Sequence, residues 1–156
     1  MATQYGRTVP KFITFKIDDS GGTLRTVVGI KSINGVGINY DQMDVSAFNE
    51  TIKSYLNGQG DCQITIVGNV DNTADVGFHN VFSGIAGGAT PLAMDIEFGV
   101  RQSYTAGEPQ FGITGTSANG MVCTSYVVNA DDMTGTATLT VFSGSAAPAW
   151  GTAAES

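Results

Sequence analysis

The chain has 156 residues, near the commonest size of one domain, and its hydrophobic content of 42% suffices for an ordinary core, which excludes a disordered chain. Only 13% of the residues are charged and the formal net charge is −7, which argues against tight binding of a nucleic-acid backbone, because that needs clustered Lys and Arg. Interface cores between proteins are similarly poor in charge, although a secreted β-sandwich with a Thr/Ser surface has the same kind of composition.

The first ten residues, Met1–Pro10, carry no periodic pattern and no apolar run like that of a signal peptide. We therefore expect an N-terminal arm and a protein that is made and kept, or assembled, in the cytosol. No stretch approaches the roughly 18–20 apolar residues of a membrane span, so we expect no membrane partner. A single β-rich domain is expected over residues 11–144.

Strand patterns dominate this domain. Lys11–Asp18 alternates apolar and polar residues, which predicts a half-buried strand, and Asp19–Gly22 predicts a turn. A second strand is predicted over residues 23–30, and the Gly-rich residues 32–40 either extend a long hairpin or form a projecting loop. Similar alternation predicts strands over residues 63–70, 92–98, 110–114, 121–128 and 135–142.

Two segments have helical spacing. The first has apolar residues at i, i+3, i+4 and i+7, with polar capping candidates at residues 71–75 and a Gly-Gly stop at 87–88: Phe78, Val81, Phe82 and Ile85. The second is Val45–Leu56, which follows Asp44 and carries Phe48 and Ile52 at helical spacing. We predict that the first segment forms a helix flanking the sheet and that Val45–Leu56 forms a second helix.

The C-terminal tail, residues 145–156, is rich in Ala, Ser, Gly and Pro and contains one large residue, Trp150. Such tails fray or bind a neighbouring subunit, and a lone Trp is a plausible anchor in a neighbour's pocket. Cys62 and Cys123 lie far apart, outside any metal or redox motif, and each falls in an apolar alternating segment. Buried free thiols are the prediction for both.

The residues available for catalysis are few. His79 is the only histidine and falls beside the apolar stripe of the predicted helix, so a surface or interface position is expected. The Gly-rich stretches match neither a dinucleotide fingerprint nor a phosphate-binding loop. Asp95 and Glu97 lie two apart on one predicted strand; a pair of acids could serve a glycosidase, but a solvated acidic face is the simpler interpretation. We expect no enzyme, no cofactor and no metal.

The order of elements resembles the major tail tube proteins of long-tailed, siphovirus-like bacteriophages. The likeness is carried by Met43–Phe48, an acidic-aliphatic-Ser/Thr-aromatic element, by the turn Tyr55–Gly58, and by the alternating strand Asp61–Asp71. The family often has an aliphatic residue after the glycine of the turn, where this chain has Gln59. The resemblance implies a mostly β fold, a sandwich or barrel-like subunit with one flanking helix and a long projecting hairpin or loop.

The same resemblance implies that six copies close into a ring by joining sheets edge to edge, and that rings stack into a hollow tail tube of the virion, assembled in the host cytoplasm. DNA would pass through the lumen without specific binding, and the partners would be the protein itself and other tail proteins such as tape measure and terminator. As lumen-facing acids we predict Asp95 and Glu97. For ring stacking and subunit contacts we predict the apolar residues of the projection and tail: Ile33, Val36, Ile38, Tyr40 and Trp150.

Three other functions remain open at this point. A capsid-decorating or carbohydrate-binding β-sandwich would have a similar pattern, although its sugar site needs exposed aromatic residues in a cleft. A small hydrolase would use Asp95 and Glu97. A secretion-system tube protein would share the ring geometry of a phage tube.

Overall fold

A computed structural model of the chain describes residues 6–100 and 107–153. Residues 1–5 of the predicted arm and 154–156 of the predicted tail lie outside these ranges. A short 3-10 helix at Pro10–Phe12 comes first. The other elements are β1 (Ile13–Asp18), β2 (Leu24–Thr26), β3 (Ile30–Asn34), β4 (Asn39–Asp44), β5 (Tyr55–Asp61), β6 (Gln63–Asn69), α1 (Phe78–Ile85), β7 (Met94–Phe98), β8 (Pro109–Ile113), β9 (Met121–Asn129), β10 (Thr134–Val141) and β11 (Ala149–Thr152).

The strands form two larger sheets and one separate hairpin. The five-stranded sheet has the order β11-β8-β7-β1-β2, the four-stranded sheet has the order β3-β6-β10-β9, and β4 pairs only with β5. All these pairs are antiparallel. The inner faces of both sheets contribute to one apolar core. The predicted mostly β, sandwich-like fold with one helix is therefore confirmed.

The period-two patterns place the core side chains as predicted. On β6, Ile64 and Ile66 are buried while Gln63 is exposed, and on β10 Ala137 and Leu139 are buried between less buried threonines. Alternate residues of a strand point to opposite faces, so each of these strands covers the core with one face.

The two thiols lie in this core. Cys62 and Cys123 are both free and buried, and burial raises the pKa of each thiol because it disfavours the thiolate. The predicted buried thiols are thereby confirmed.

The helix α1 is confirmed, and its apolar stripe of four residues is fully directed into the core: Phe78, Val81, Phe82 and Ile85. Its first turn is not capped by a side chain. Instead the backbone carbonyl of Asp71 accepts hydrogen bonds from the N–H groups of His79 and Asn80 at 3.0 and 3.4 Å. The helix ends at the predicted stop, where Gly87 has a φ of +76°, a conformation that favours glycine.

Two glycines make room for the helix on the four-stranded sheet. Gly68 and Gly135 lie opposite each other on β6 and β10. A Cβ atom at Gly68 would lie 2.8 Å from the ring of Phe78, and one at Gly135 would lie 2.6 Å from the ring of Tyr126. Side chains at these positions would push the rings away, so the two glycines allow the rings to approach the sheet closely.

The predicted second helix, Val45–Leu56, is wrong. Residues 45–54 connect β4 to β5, and Tyr55 and Leu56 begin β5. The helical spacing of Phe48 and Ile52 is misleading because neither side chain packs on the core; both are exposed. The Gly-rich residues 32–40 were predicted either to extend a long hairpin or to form a projecting loop. Instead their first part lies in β3, which pairs with β6, and their last two residues begin β4 of a separate projecting hairpin.

Part of the predicted C-terminal tail belongs to the domain. Ala149–Thr152 forms β11 and pairs with β8 at the edge of the five-stranded sheet. Trp150 lies opposite Phe111, with ring centroids 4.9 Å apart, and contacts Phe98 at 5.7 Å. The tail thus closes one end of its own subunit's core.

Candidate assembly interface

The hairpin formed by β4 and β5 pairs with no other strand in residues 6–100 and 107–153. Every residue from 39 to 61 is exposed except Gly58. Met43 lies opposite Leu56 on one face, and Tyr55 lies opposite Asp44 on the other, so both faces carry large exposed side chains. A two-stranded hairpin alone is marginally stable in water. This hairpin is nevertheless long and carries exposed apolar or aromatic side chains on both faces.

The tip of the hairpin is ordered by local hydrogen bonds. The N–H of Val45 donates to the carbonyl of Ser54 at 2.9 Å, and the N–H of Ser54 donates to the hydroxyl of Ser46 at 2.7 Å. The Ser46 hydroxyl and N–H also lower the pKa of the Asp44 carboxyl, since they stabilise its charged form. On this frame Phe48 is fully exposed and Ile52 is 81% exposed.

The two larger sheets end in strands that have only one ladder partner in the described chain: β2 and β11 in one sheet, β3 and β9 in the other. The β9 edge carries the exposed residues Val127 and Val128, and the turn after it carries Met133. Exposed edges with apolar side chains are sites where another chain can add a strand. These edges are the second set of candidate contacts.

The predicted acidic pair lies on the face of β7 that points away from the core. Glu97 is only 5% exposed and its carboxylate lies 3.4 Å from the ammonium group of Lys16. Asp95 is half-buried beside Gln110, and burial raises its pKa, while the Gln110 hydrogen bond and the Lys16 charge act in the opposite direction. Asp95 and Glu97 therefore share a face of β7, but that face is partly covered and its negative charge is partly neutralised. That this face lines a lumen stays a prediction.

The five predicted contact residues fall into two groups. Ile33, Val36 and Ile38 are partly buried against the core of their own subunit. Tyr40 and Trp150 are each about half exposed, and Trp150 uses its other half on Phe111 and Phe98 of its own sheet. Their roles between subunits stay predictions.

Four exposed apolar residues of the hairpin were not predicted as contacts from the sequence: Met43, Phe48, Ile52 and Leu56. The helical spacing of the last three indicated a helix with a buried stripe instead. The glycines at 58 and 60 argue against a helix, because Gly is common at bulges of a strand. A Cβ at Gly60 would meet Ile38 and Tyr40 at 2.7 and 2.9 Å, so this glycine allows close packing at the base of the hairpin.

One polar contact joins the helix to the four-stranded sheet. His79 Nδ1 and the Tyr126 hydroxyl share a hydrogen bond at 2.9 Å between α1 and β9, and burial raises the pKa of Tyr126. Over residues 6–100 and 107–153 no group of three His, Cys, Asp or Glu side chains is arranged to hold a metal ion. In the same part of the chain no helix is both long and apolar enough to cross a membrane.

No protein-family model matches this sequence, and no curated protein matches it significantly. Solved structures do. The anti-feeding prophage cap, a tube terminating cap, superposes with a TM-score of 0.64 at 15% identity over 98% of this chain and 95% of that chain. The tail of the empty gene transfer agent particle, solved with C6 symmetry, gives a TM-score of 0.56 at 14% identity, covering 93% of this chain and 99% of that chain.

The virion of the native gene transfer agent particle gives the same TM-score of 0.56 at 13% identity, again over 93% of this chain and 99% of that chain. The likeness therefore extends over almost the whole length of the chain in each comparison. The chain has the fold of tail tube and tube-cap proteins of phage-like particles. The resemblance to tail tube proteins is thereby confirmed at the level of the fold.

Proposed function

We propose that this protein is a non-catalytic structural subunit of a phage-like tail tube, in which six copies form a ring and rings stack into the tail of a virion. The support is a shared fold over more than nine-tenths of the chain. One of the similar structures is a tail solved with C6 symmetry, and the sixfold ring is carried over from it to this chain as part of the proposal.

The exposed hairpin is the observation that carries the proposal. It projects 23 residues, 39–61, from a well-packed sandwich and exposes apolar side chains on both faces. Because an isolated hairpin gains little from its own contacts, a protein surface must cover it in the working state. A second copy is always present at the concentration of the first, and stacking through such a projection requires no other component.

Ring closure would use the edges of the larger sheets. A head-to-tail contact whose rotation closes gives a ring and removes the edges that would otherwise aggregate. The net charge of −7 fits a lumen that repels phosphate, so that DNA passes without sticking. Asp95 and Glu97 are the proposed lumen-facing acids. Tape measure and terminator proteins are the proposed partners inside the tube and at its end.

The test is electron microscopy and sedimentation of the purified protein over a concentration series. Wild type is expected to form hollow tubes. Asn39 pairs with Asp61, so residues 40–60 can be replaced by an Asn-Gly turn without separating the neighbouring strands. This variant is expected to give folded monomers or single rings. Wild type that stays monomeric at the highest concentration, or variant tubes of normal length, would contradict the proposal.

A tube-terminating cap is the second candidate, favoured by the superposition on the anti-feeding prophage cap. A cap ends a tube, so it would form one ring that does not stack on copies of itself. Wild-type rings that never lengthen would favour the cap, whereas tubes would favour the repeating subunit. Monomers that bind glycans would instead favour a carbohydrate-binding module.

A further inference from the structure

A groove opens where β1 lies beside the chain that connects β2 to β3. Its volume is about 450 Å³. The lining is mainly apolar, with Phe15 and Val27 buried and Ile13 and Ile33 partly buried. The exposed residue Lys31 also lines the groove and brings positive charge to it. No part of the described chain fills this space.

The tip of the hairpin has the complementary properties. Phe48 is fully exposed and Ile52 is 81% exposed, so two large apolar side chains project from one ordered turn. Residues 39–61 contain four carboxylates and one lysine, Lys53, which gives the hairpin a net charge of −3. Glu50 lies between the two apolar side chains in sequence, and the Ser54 hydroxyl holds its carboxylate at 2.8 Å.

We propose that the hairpin tip of one copy docks in this groove of another copy, with Phe48 and Ile52 entering the apolar lining and Glu50 facing Lys31. The occupant is a second copy because the tip of the same subunit is fully exposed and does not reach its own groove. A contact between a tip and a different surface on the next molecule is heterologous, so it repeats from copy to copy. This contact rests on the proposed self-assembly and identifies the groove as the surface that receives the hairpin.

Charge favours this occupant over the nearest alternative. The N-terminal arm leads directly into Pro10 at the groove, but its residues 1–9 carry one arginine, Arg7, and no carboxylate. An arm of that charge gains nothing from Lys31. The hairpin brings carboxylates to a lysine, and opposite charges at an interface fix register and suppress wrong partners.

Site-specific photocrosslinking tests the contact in the full-length protein. Benzoylphenylalanine replaces Phe48 in one variant and Ser32, an exposed residue of the groove, in another. The first is expected to label residues 10–33 of a second copy, and the second is expected to label residues 44–54. Ser83→benzoylphenylalanine, on the exposed side of α1, is the matched control, and it should label neither region.

The outcomes separate the two proposals. Wild type that never assembles removes both. Wild type that assembles while the Ser32 probe labels residues 1–9, or while the Phe48 probe labels another surface, overturns the docking contact and leaves the tube subunit standing. Because Phe48 and Ser32 are exposed, neither probe disturbs the core, and circular dichroism of each variant confirms its fold.

A charge exchange gives an independent test. Lys31→Glu and Glu50→Lys are each expected to raise the concentration needed for assembly at least tenfold, and the double variant should return to within about threefold of wild type. The pKa of Asp132 is lowered mainly by the hydrogen bond from the Thr134 hydroxyl and to a smaller extent by the charge of Lys31, so Lys31→Gln serves if Lys31→Glu unfolds. Single variants that assemble like wild type, or a double variant worse than either single one, would overturn the pairing.

Discussion

Replacing Met43 and Leu56 together by Ser is expected to raise the concentration needed for assembly by roughly 10- to 100-fold. The two side chains lie opposite each other and are 55% and 57% exposed in the isolated subunit. Full burial of such a side chain contributes about 1.5–3 kcal/mol. Covering the remaining half of both in the assembly therefore contributes about 1.5–3 kcal/mol for the pair, and each 1.4 kcal/mol is a factor of ten in an association constant.

Sedimentation velocity over a dilution series, with electron microscopy of each fraction, measures this threshold. The neighbouring cross-strand pair, Gln42 and Asn57, provides the matched control because it has the same geometry and no large apolar side chain. Gln42→Ser with Asn57→Ser should leave the threshold within about threefold of wild type. If Met43→Ser with Leu56→Ser assembles at the wild-type concentration, the hairpin face is not buried between subunits and the reasoning fails.

Three further predictions concern single substitutions, two in the subunit's own stability and one in ring formation. Phe82→Ala should lower the free energy of unfolding by about 3–5 kcal/mol in urea titration, because Phe82 is fully buried against the rings of Phe15 and Phe78. Asp19→Ala should lower the free energy of unfolding by about 1 kcal/mol at pH 7, because hydrogen bonds from the Thr23 N–H and Arg25 depress the pKa of Asp19 in the folded state. The stabilisation by Asp19 is therefore fully present above the unfolded pKa of about 3.9 and disappears as the pH falls through the lower folded pKa. Val127→Lys should change monomer stability by less than about 0.5 kcal/mol and abolish rings in electron micrographs, since a charge on the β9 edge opposes strand pairing.

The sequence predicted the sandwich well because its core strands alternate strictly. On β6 and β10 the buried positions are those of the apolar alternation, and the stripe of α1 is buried as its spacing indicates. These elements owe their structure to one apolar face turned towards one core, which is the property that periodicity measures. The exceptions lie where no core decides the conformation.

The hairpin is the clearest exception. Phe48, Ile52 and Leu56 have helical spacing, but a helix there would need a surface to bury its stripe, and these three side chains are exposed in the part of the chain that the structure describes. The pairing of β4 with β5 and the serine hydrogen bonds at the tip determine the structure instead. Periodicity shows that apolar residues share a face, but it does not show whether that face is covered by the same chain or by another molecule.

Glu97 shows a similar limit. Alternation correctly placed it with Asp95 on the face away from the core, but its near-complete burial depends on neighbouring strands, including the side chain of Lys16 on β1. The pairing of β1 with β7 brings together residues 81 positions apart. A local sequence pattern contains no information about a partner so distant in the chain, so the partial neutralisation of the acidic face by Lys16 could not be predicted.

The hairpin also links the folding of the subunit to its assembly. Because β4 and β5 pair only with each other among the described strands and have exposed faces, they should open far more often than β6 and β10, which lie inside the four-stranded sheet. If only the closed hairpin can stack, its open fraction lowers the apparent affinity between subunits. Hydrogen exchange by mass spectrometry should then find fast exchange over residues 39–61 of dissociated subunits and at least 100-fold slower exchange in tubes, with β6 and β10 slow in both. Equal protection of residues 39–61 before and after assembly would mean that the hairpin is stable alone, and its exposed apolar faces would no longer require a partner.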